Sequence, residues 1–241
     1  MGIALLWLLP FFLFMGVAVS GHGQNRLSAD VTIRQVHKGK AMRVEKQVFY
    51  NMNGNLVVHY TYPQEYYWVT NSLGESSVYQ PKVNEVMVVN DRSMSSEAEY
   101  FVQFLSPDYA DLGLTRNGFT LKGVERDGDN LVKTFFPTSI NEKSVKKVVV
   151  VCRDGRPIYC AIYGPDDHIT RKVYYSKYVT FPKLTFPTSI TQISYNAVGD
   201  SIIKKEEYKN IKTKDFAPGA LFDYKVPAGA KRVNPYGVNK K

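Results

Sequence analysis

Three groups of side chains in this sequence have types and spacing that could do chemistry. Asp166-Asp167-His168 puts two carboxylates and an imidazole in a row, the donor types of a divalent metal site or an acid–base pair. Consecutive residues in a turn point in different directions, however, and Asp-Asp after Gly164-Pro165 is ordinary turn chemistry. No metal site is expected there. His59 alternates with Val58 and Tyr60 and falls on the minority face of an apolar strand, where it reads as a surface or cross-strand partner rather than a general base. Cys152 and Cys160 flank Arg153-Asp154-Gly155-Arg156. A tight turn at Asp154-Gly155 sets Cys152 opposite Pro157, three residues short of Cys160, so two buried free thiols are expected rather than a disulfide. Four histidines, no Gly-rich phosphate loop and no H-E-x-x-H, G-x-S-x-G or C-x-x-C motif point away from an enzyme and imply no cofactor.

Apolar surface is what the chain has in quantity. From Phe49 to Pro81 the sequence carries Tyr60, Tyr62, Tyr66, Tyr67, Trp68 and Tyr79. Leu56, Val58, Tyr60 and Tyr62 alternate with Val57, His59 and Thr61, the period of a strand with one dominant face. Pro63 ends that strand, 66–70 returns as an aromatic strand, and 77–80 follows a turn at 71–74. Such a meander is either plain core of an all-β domain or a curved sheet whose concave face holds something apolar.

The elements around it are mostly strands: 29–36, 41–50 and 82–90 before the middle, and 119–124, 131–136, 145–152, 158–163, 168–178, 186–195, 201–211 and 221–226 after it. Residues 145–152 and 158–163 are apolar on both faces, as in strands covered on two sides or lining a cavity. One helix interrupts them. Ser96-x-x-Glu99 reads as a capping box opening 97–105, with Tyr100, Phe101, Phe104 and Leu105 on one stripe. That stripe must lie on a sheet face, as a movable lid or as a fixed plug. Phe-Pro-Thr-Ser-Ile occurs at 136–140 and again at 186–190, but nothing else matches between the copies and no repeat is inferred.

Residues 1–20 are apolar, uncharged and end in Ala18-Val19-Ser20. They read as a cleaved secretory signal peptide, the alternative being an uncleaved anchor broken by Pro10. Residues 21–233 suffice for one domain, and 234–241 form a basic tail. The net charge is +9. It is uneven: 91–130 holds eight acids against four bases, and 204–241 ten bases against four acids. A basic stretch meets anionic lipid or is simply a solvated surface; export argues against nucleic acid.

Residues in the meander and the tail carry a family likeness. Val58, Tyr60 and Pro63, the turn Gly74, and Tyr79 with Pro81 stand where the LolA-type periplasmic lipoprotein carriers have R-W-x-Y-x-x-P, a D-G turn and Y-x-P. Phe222, Val226, Pro227, Gly229 and Val233 match the end of that family. The chain resembles the family loosely, in order, from about residue 29 to 233. Two features depart from it: 21–28 is too short for the family's first helix, and Asn51-Met52-Asn53-Gly54 replaces an Arg-Pro pair whose arginine latches the lid.

The resemblance implies a mainly β fold: a single, strongly curved antiparallel sheet of about 11 strands, an unclosed barrel with a helix on its concave side. It implies a monomeric carrier for the acyl chains of lipoproteins or other lipid, meeting transfer partners at the inner and outer membranes. The residues expected to line the groove are Leu56, Val58, Tyr60, Tyr62, Trp68, Tyr100, Phe101 and Phe104. Each buried methylene gains about 0.8 kcal/mol, so a dry apolar groove suffices for such a ligand. The other reading is a non-catalytic envelope β-domain with no lipid cavity.

Overall fold

The structure is a computed structural model that describes residues 26–90, 99–106, 108–138, 144–181, 184–196, 199–213, 219 and 221–234. The proposed signal segment, Ser96 of the proposed capping box and most of the basic tail lie outside them. Among the described residues fourteen strands form one sheet. They are β1 (Arg26–His37), β2 (Lys40–Asn51), β3 (Leu56–Tyr62), β4 (Tyr66–Thr70), β5 (Glu75–Gln80), β6 (Glu85–Asn90), β7 (Phe119–Asp127), β8 (Asn130–Pro137), β9 (Lys147–Arg153), β10 (Arg156–Tyr163), β11 (Ile169–Phe181), β12 (Leu184–Tyr195), β13 (Ser201–Thr213) and β14 (Lys231–Val233). The spatial order is β14-β6-β5-β4-β3-β2-β1-β13-β12-β11-β10-β9-β8-β7. This is the large unclosed sheet expected, with more strands than eleven. Every pairing is antiparallel except β14 with β6, which is parallel. The strand expected at 221–226 is instead turn and irregular chain, and the final strand comes later, at β14.

The chain order explains the architecture. The first six strands meander outward to one edge, and β7 begins at the opposite edge. The strands then meander back until β13 pairs with β1, from Leu27↔Thr213 to His37↔Ile202. The connection from β6 to β7 must therefore cross the sheet, and it crosses the inner face. Its described part, residues 99–106 and 108–118, holds one turn of helix, α1 (Tyr100–Gln103), and a 3₁₀ turn at Tyr109–Asp111.

The expected helix of two to three turns is thus a single turn. The reason lies in Glu99. It has extended backbone at the N-terminal cap and makes no capping hydrogen bond; its carboxylate is drawn to Lys46 instead.

Inner-face residues from β1, β2, β3 and β8 to β13 share one hydrophobic cluster with Phe101 and Phe104, which requires the sheet to curve around the crossing segment. Two irregularities keep the right residues inward. At Lys177, φ +56°, the alternation of β11 is broken while its register with β12 stays unshifted from Ser176↔Ser189 to Tyr178↔Pro187, and Tyr175 and Tyr178 both reach the cluster. Asn210, at φ +50°, lies where the β1–β13 register shifts by one residue between Ser28↔Lys212 and Asp30↔Lys209, so Tyr208 and Ile211 both reach the cluster. On the outer face a smaller cluster joins Phe49, Val57 and Phe222, with the Phe49 and Phe222 rings edge-to-face at 5.4 Å. On β9 and β10 the inner Val148, Val150, Cys152 and Cys160 are buried and Ile162 is half-buried, whereas on the outer face Ala161 is buried and Val149, Val151, Tyr159 and Tyr163 are half-buried.

Candidate functional site: the inner face and the segment that crosses it

On the inner face, cross-strand pairing builds an apolar row from Ala29 through Val48, Val58, Trp68 and Val78 to Met87. The row beside it runs Val31, Lys46, Tyr60, Tyr66. Lys46 is on this face because its own strand alternates: Val44, Lys46, Val48 and Tyr50 point one way.

The crossing segment lays Phe101, Phe104, Leu105, Tyr109, Leu112 and Leu114 onto this surface. Phe101 meets Phe186 edge-to-face at 5.3 Å and Tyr208 stacked at 6.2 Å. Phe104 meets Tyr175 at 5.5 Å and Phe186 at 5.6 Å, both edge-to-face. These geometries suit the ring quadrupoles.

Polar ties hold the segment at two places. At its start, Lys46 Nζ donates to Glu99 Oε1 and Oε2 at 2.8 and 3.0 Å, and the Tyr100 hydroxyl donates to Gln192 Oε1 at 2.8 Å. Further along, the Ala110 carbonyl accepts from Lys133 Nζ at 3.4 Å and from the Cys152 thiol at 3.5 Å.

The charges at the first tie extend into a small network. Glu206, buried on β13, accepts from the Tyr208 hydroxyl at 2.8 Å and pairs with Lys204 at 2.8 Å. Burial by itself lowers the Lys46 pKa, but Glu99, Tyr60 and Glu206 more than reverse this, and the ammonium is held charged above its ordinary value. Burial pushes Glu206 up; Lys204, Lys46 and the Tyr208 hydroxyl outweigh it, and the carboxyl titrates below its ordinary value. Tyr208, fully enclosed beside Glu206, is raised well above the usual phenol range, first by burial and then by that carboxylate.

Seven of the eight residues expected to line the groove lie together here. Leu56, Val58, Phe101 and Phe104 are buried in the main cluster, and Tyr60, Trp68 and Tyr100 pack against it half-buried. Tyr62 does not join them. The β3–β4 ladder ends at Tyr60↔Tyr66, so Tyr62, still paired with Glu45 of β2, runs past the end of β4 just before Pro63 and is 51% exposed. Lys46, Glu99, Glu206 and Gln192 were missed by sequence reasoning; the signal for Lys46 was its parity with Val44 and Val48.

Where the segment meets the sheet rim there is a cleft of about 140 Å³ lined by Tyr50, Met52, Val102, Leu105 and Arg116 among others. Two larger clefts, about 390 and 370 Å³, open on the outer face and present Asn55, Glu75 and Asn90, or Asp30, Gln47 and Lys212. The second has a mainly polar lining, which suits an acyl chain poorly; the first mixes its polar groups with Val57, Val69, Val88, Phe222 and Tyr224.

The remaining candidates take ordinary roles. His59 Nε2 lies 3.0 Å from Glu65, and its ring stacks on Tyr67, its cross-strand neighbour, at 4.3 Å. Asp167 pairs with Lys146 and Lys147 at 3.0 and 3.3 Å, and its pKa is lowered chiefly by those hydrogen bonds. Among the described residues no cluster of three His, Cys, Asp or Glu side chains could hold a metal. Cys152 and Cys160 are free and buried, and the register is Pro157↔Cys152 as the turn at Asp154-Gly155 requires. Burial raises both thiols, Cys160 to about 12.

No family model and no curated protein matches this chain in sequence. Solved structures do match in fold. A LolA superfamily protein from Nitrosomonas europaea aligns with TM-score 0.56 at 16% identity over 83% of this chain and 91% of its own. A DUF1329 family protein from Desulfovibrio piger aligns with TM-score 0.56 at 14% identity over 83% and 90%. A protein domain from Vibrio parahaemolyticus described as outer membrane lipoprotein-sorting aligns with TM-score 0.55 at 13% identity over 84% and 91%. The unclosed sheet with an inner crossing segment is the LolA-like fold that the sequence resemblance implied.

Proposed function

We propose that this protein is a non-catalytic carrier that holds lipid, or the acyl chains of lipoproteins, between the inner face of its sheet and the segment 99–118. The observation that carries this reading is the construction of the inner face. It is apolar across nine strands, yet it is covered by one helical turn and irregular chain rather than by a second layer. Fully burying an apolar side chain gains about 1.5–3 kcal/mol, so the segment's six apolar residues are held by something on the order of 10 kcal/mol. A sixteen-carbon chain buried in the same place gains a similar amount at about 0.8 kcal/mol per methylene. Exchange of one for the other is therefore energetically balanced. Lys46 with Glu99 supplies the tie that a lid needs, in place of the family's latch arginine. The rim cleft beside Tyr50 and Val102 is where a chain end first gains access.

Export through residues 1–20, a periplasmic setting, a monomeric state and hand-over between membranes complete the proposal. They rest on the apolar leader and on the lipoprotein-sorting description of the Vibrio parahaemolyticus neighbour. A second reading has its own support. Phe101 and Phe104 already fill the groove with well-formed ring contacts, as the plain core of an envelope β-domain would. The deciding experiment is solvent extraction and mass spectrometry of the protein purified without detergent, together with titration by an apolar fluorescent probe. Stoichiometric lipid or saturable probe binding to the folded protein is expected; absence of both leaves the plain-core reading.

A further inference from the structure

Trp68 carries a buried indole N–H with no hydrogen-bond partner. Orphaned donors of this kind are rare in native structures because an unmade bond costs the full desolvation of the group. The surroundings explain why no acceptor is at hand. Across the strands Trp68 faces Val58 and Val78. Along its own strand, the same-face neighbours are Tyr66 and Thr70. The Tyr66 hydroxyl is engaged with Tyr60, against whose ring it stacks at 4.0 Å, and the Thr70 hydroxyl accepts from Ser76 at 2.7 Å. The indole thus presents a single neutral donor in an otherwise apolar row that ends in Val78 and Met87, both half-buried.

We infer that Trp68 Nε1 is the polar contact of the lipid site, donating to the carbonyl oxygen of a bound acyl group. This rests on the carrier reading and specifies its ligand: a chain bearing an ester or amide carbonyl, rather than any hydrocarbon. A charged headgroup does not fit the role, because the row offers no charged partner and a neutral N–H satisfies only part of an anion. A carbonyl brings one acceptor, no donor and little desolvation cost, and it sits where an acyl chain begins. The contact also fixes which way the chain lies, with its carbonyl end toward β4.

The test uses the exported protein, from which removal of residues 1–20 takes Trp7 and leaves Trp68 as the one indole of the two in the sequence; where that leader is retained, Trp7→Phe gives the same single indole. Three lipids are titrated: 1-palmitoylglycerol (ester), N-palmitoylethanolamine (amide) and 1-O-hexadecylglycerol (ether, no carbonyl). One hydrogen bond gained by an orphaned donor is expected to favour the carbonyl lipids about fivefold over the ether and to shift the Trp68 emission to the red with them only. In Trp68→Phe the three affinities should converge on that of the ether. Preference for the ester alone or the amide alone also supports the assignment and identifies the linkage carried. Equal binding of ester and ether by the Trp68-bearing protein, or a preference that survives Trp68→Phe, overturns it while leaving the carrier reading intact. Binding of none of the three overturns both. Should Trp68→Phe not fold, the difference in emission between ester and ether decides.

Discussion

Lys46, on the inner face of β2, donates to both carboxylate oxygens of Glu99, the residue at which the crossing segment begins its helical turn. Their side chains are 4% and 12% exposed. Sheet and segment are thus joined by a nearly dry ion pair, in which removing one partner strands the other, whereas replacing both with apolar groups is close to neutral.

Lys46→Met should therefore destabilise the protein by about 3–5 kcal/mol, and Lys46→Met with Glu99→Met should recover most of the loss. Urea melts of wild type, both single variants and the pair provide the measurement. A double variant no better than the singles would mean that the pair does not act as a unit.

The same network sets a pH window. Glu206 is lowered from an ordinary value of 4.5, so its contribution is present above pH 4.5 and lost as pH falls through the folded-state pKa. Lys46 is raised from 10.5, so its contribution is present below that value and lost as pH rises towards the folded-state pKa. Tyr208 and Tyr175, raised from 10.0, add to the alkaline limb because only the unfolded chain ionises just above pH 10. The melting temperature should be level between about pH 5 and 10 and fall on both sides. Glu206→Gln should lower the plateau and flatten the acid limb; an unaltered acid limb would place its origin elsewhere.

Val58 and Tyr62 lie on one strand at the same parity but in opposite situations. Val58 is fully enclosed and Tyr62 is 51% exposed. Val58→Glu should cost several kcal/mol by burying an unpaired charge, whereas Tyr62→Glu should change stability by less than about 0.5 kcal/mol. Thermal melts of the two side by side check this, and similar losses in both would contradict the placement of Tyr62.

Cys152 reports on the segment directly, because its thiol donates to the Ala110 carbonyl. A disulfide-exchange reagent should leave the native protein unlabelled, since both thiols are buried and their pKa values are raised. Saturating lipid, or Glu99→Gln, should accelerate labelling of Cys152 if the segment lifts. Equal protection with and without lipid would indicate a permanently closed inner face.

Much of this fold could be read from alternation alone. Residues 56–62 alternate, 66–70 are dense in aromatics between turn residues, and the Asp154-Gly155 turn sets Cys152 against Pro157. What escaped was non-local. Ser96-x-x-Glu99 has the local pattern of a capping box, but Glu99 is claimed by a lysine 53 residues earlier in the chain, and a long-range ion pair overrides a propensity of about 1 kcal/mol. Lys46 reads locally as a solvent residue; only its parity, combined with a segment crossing overhead, makes it interior. Strand 221–226 failed for a similar reason: Phe222 leaves the sheet to fill a site between Phe49 and Arg26, whose guanidinium lies 5.1 Å from its ring centre.

The parallel pairing of β14 with β6 bears on solubility. An open sheet has two edges, and each is a template for another chain. At the β7 edge, exposed Lys122, Glu125, Arg126 and Asp127 discourage pairing by charge. At the other edge, β6 carries the apolar run Val86-Met87-Val88-Val89, and three residues of the protein's own chain pair with its first half, Glu85 to Met87, held by Lys231 N–H to the Asn84 carbonyl and Lys231 Nζ to Glu85 at 2.9 and 3.0 Å. Loss of those three residues would leave the inner face untouched and still open the β6 edge, so that self-association should rise with concentration.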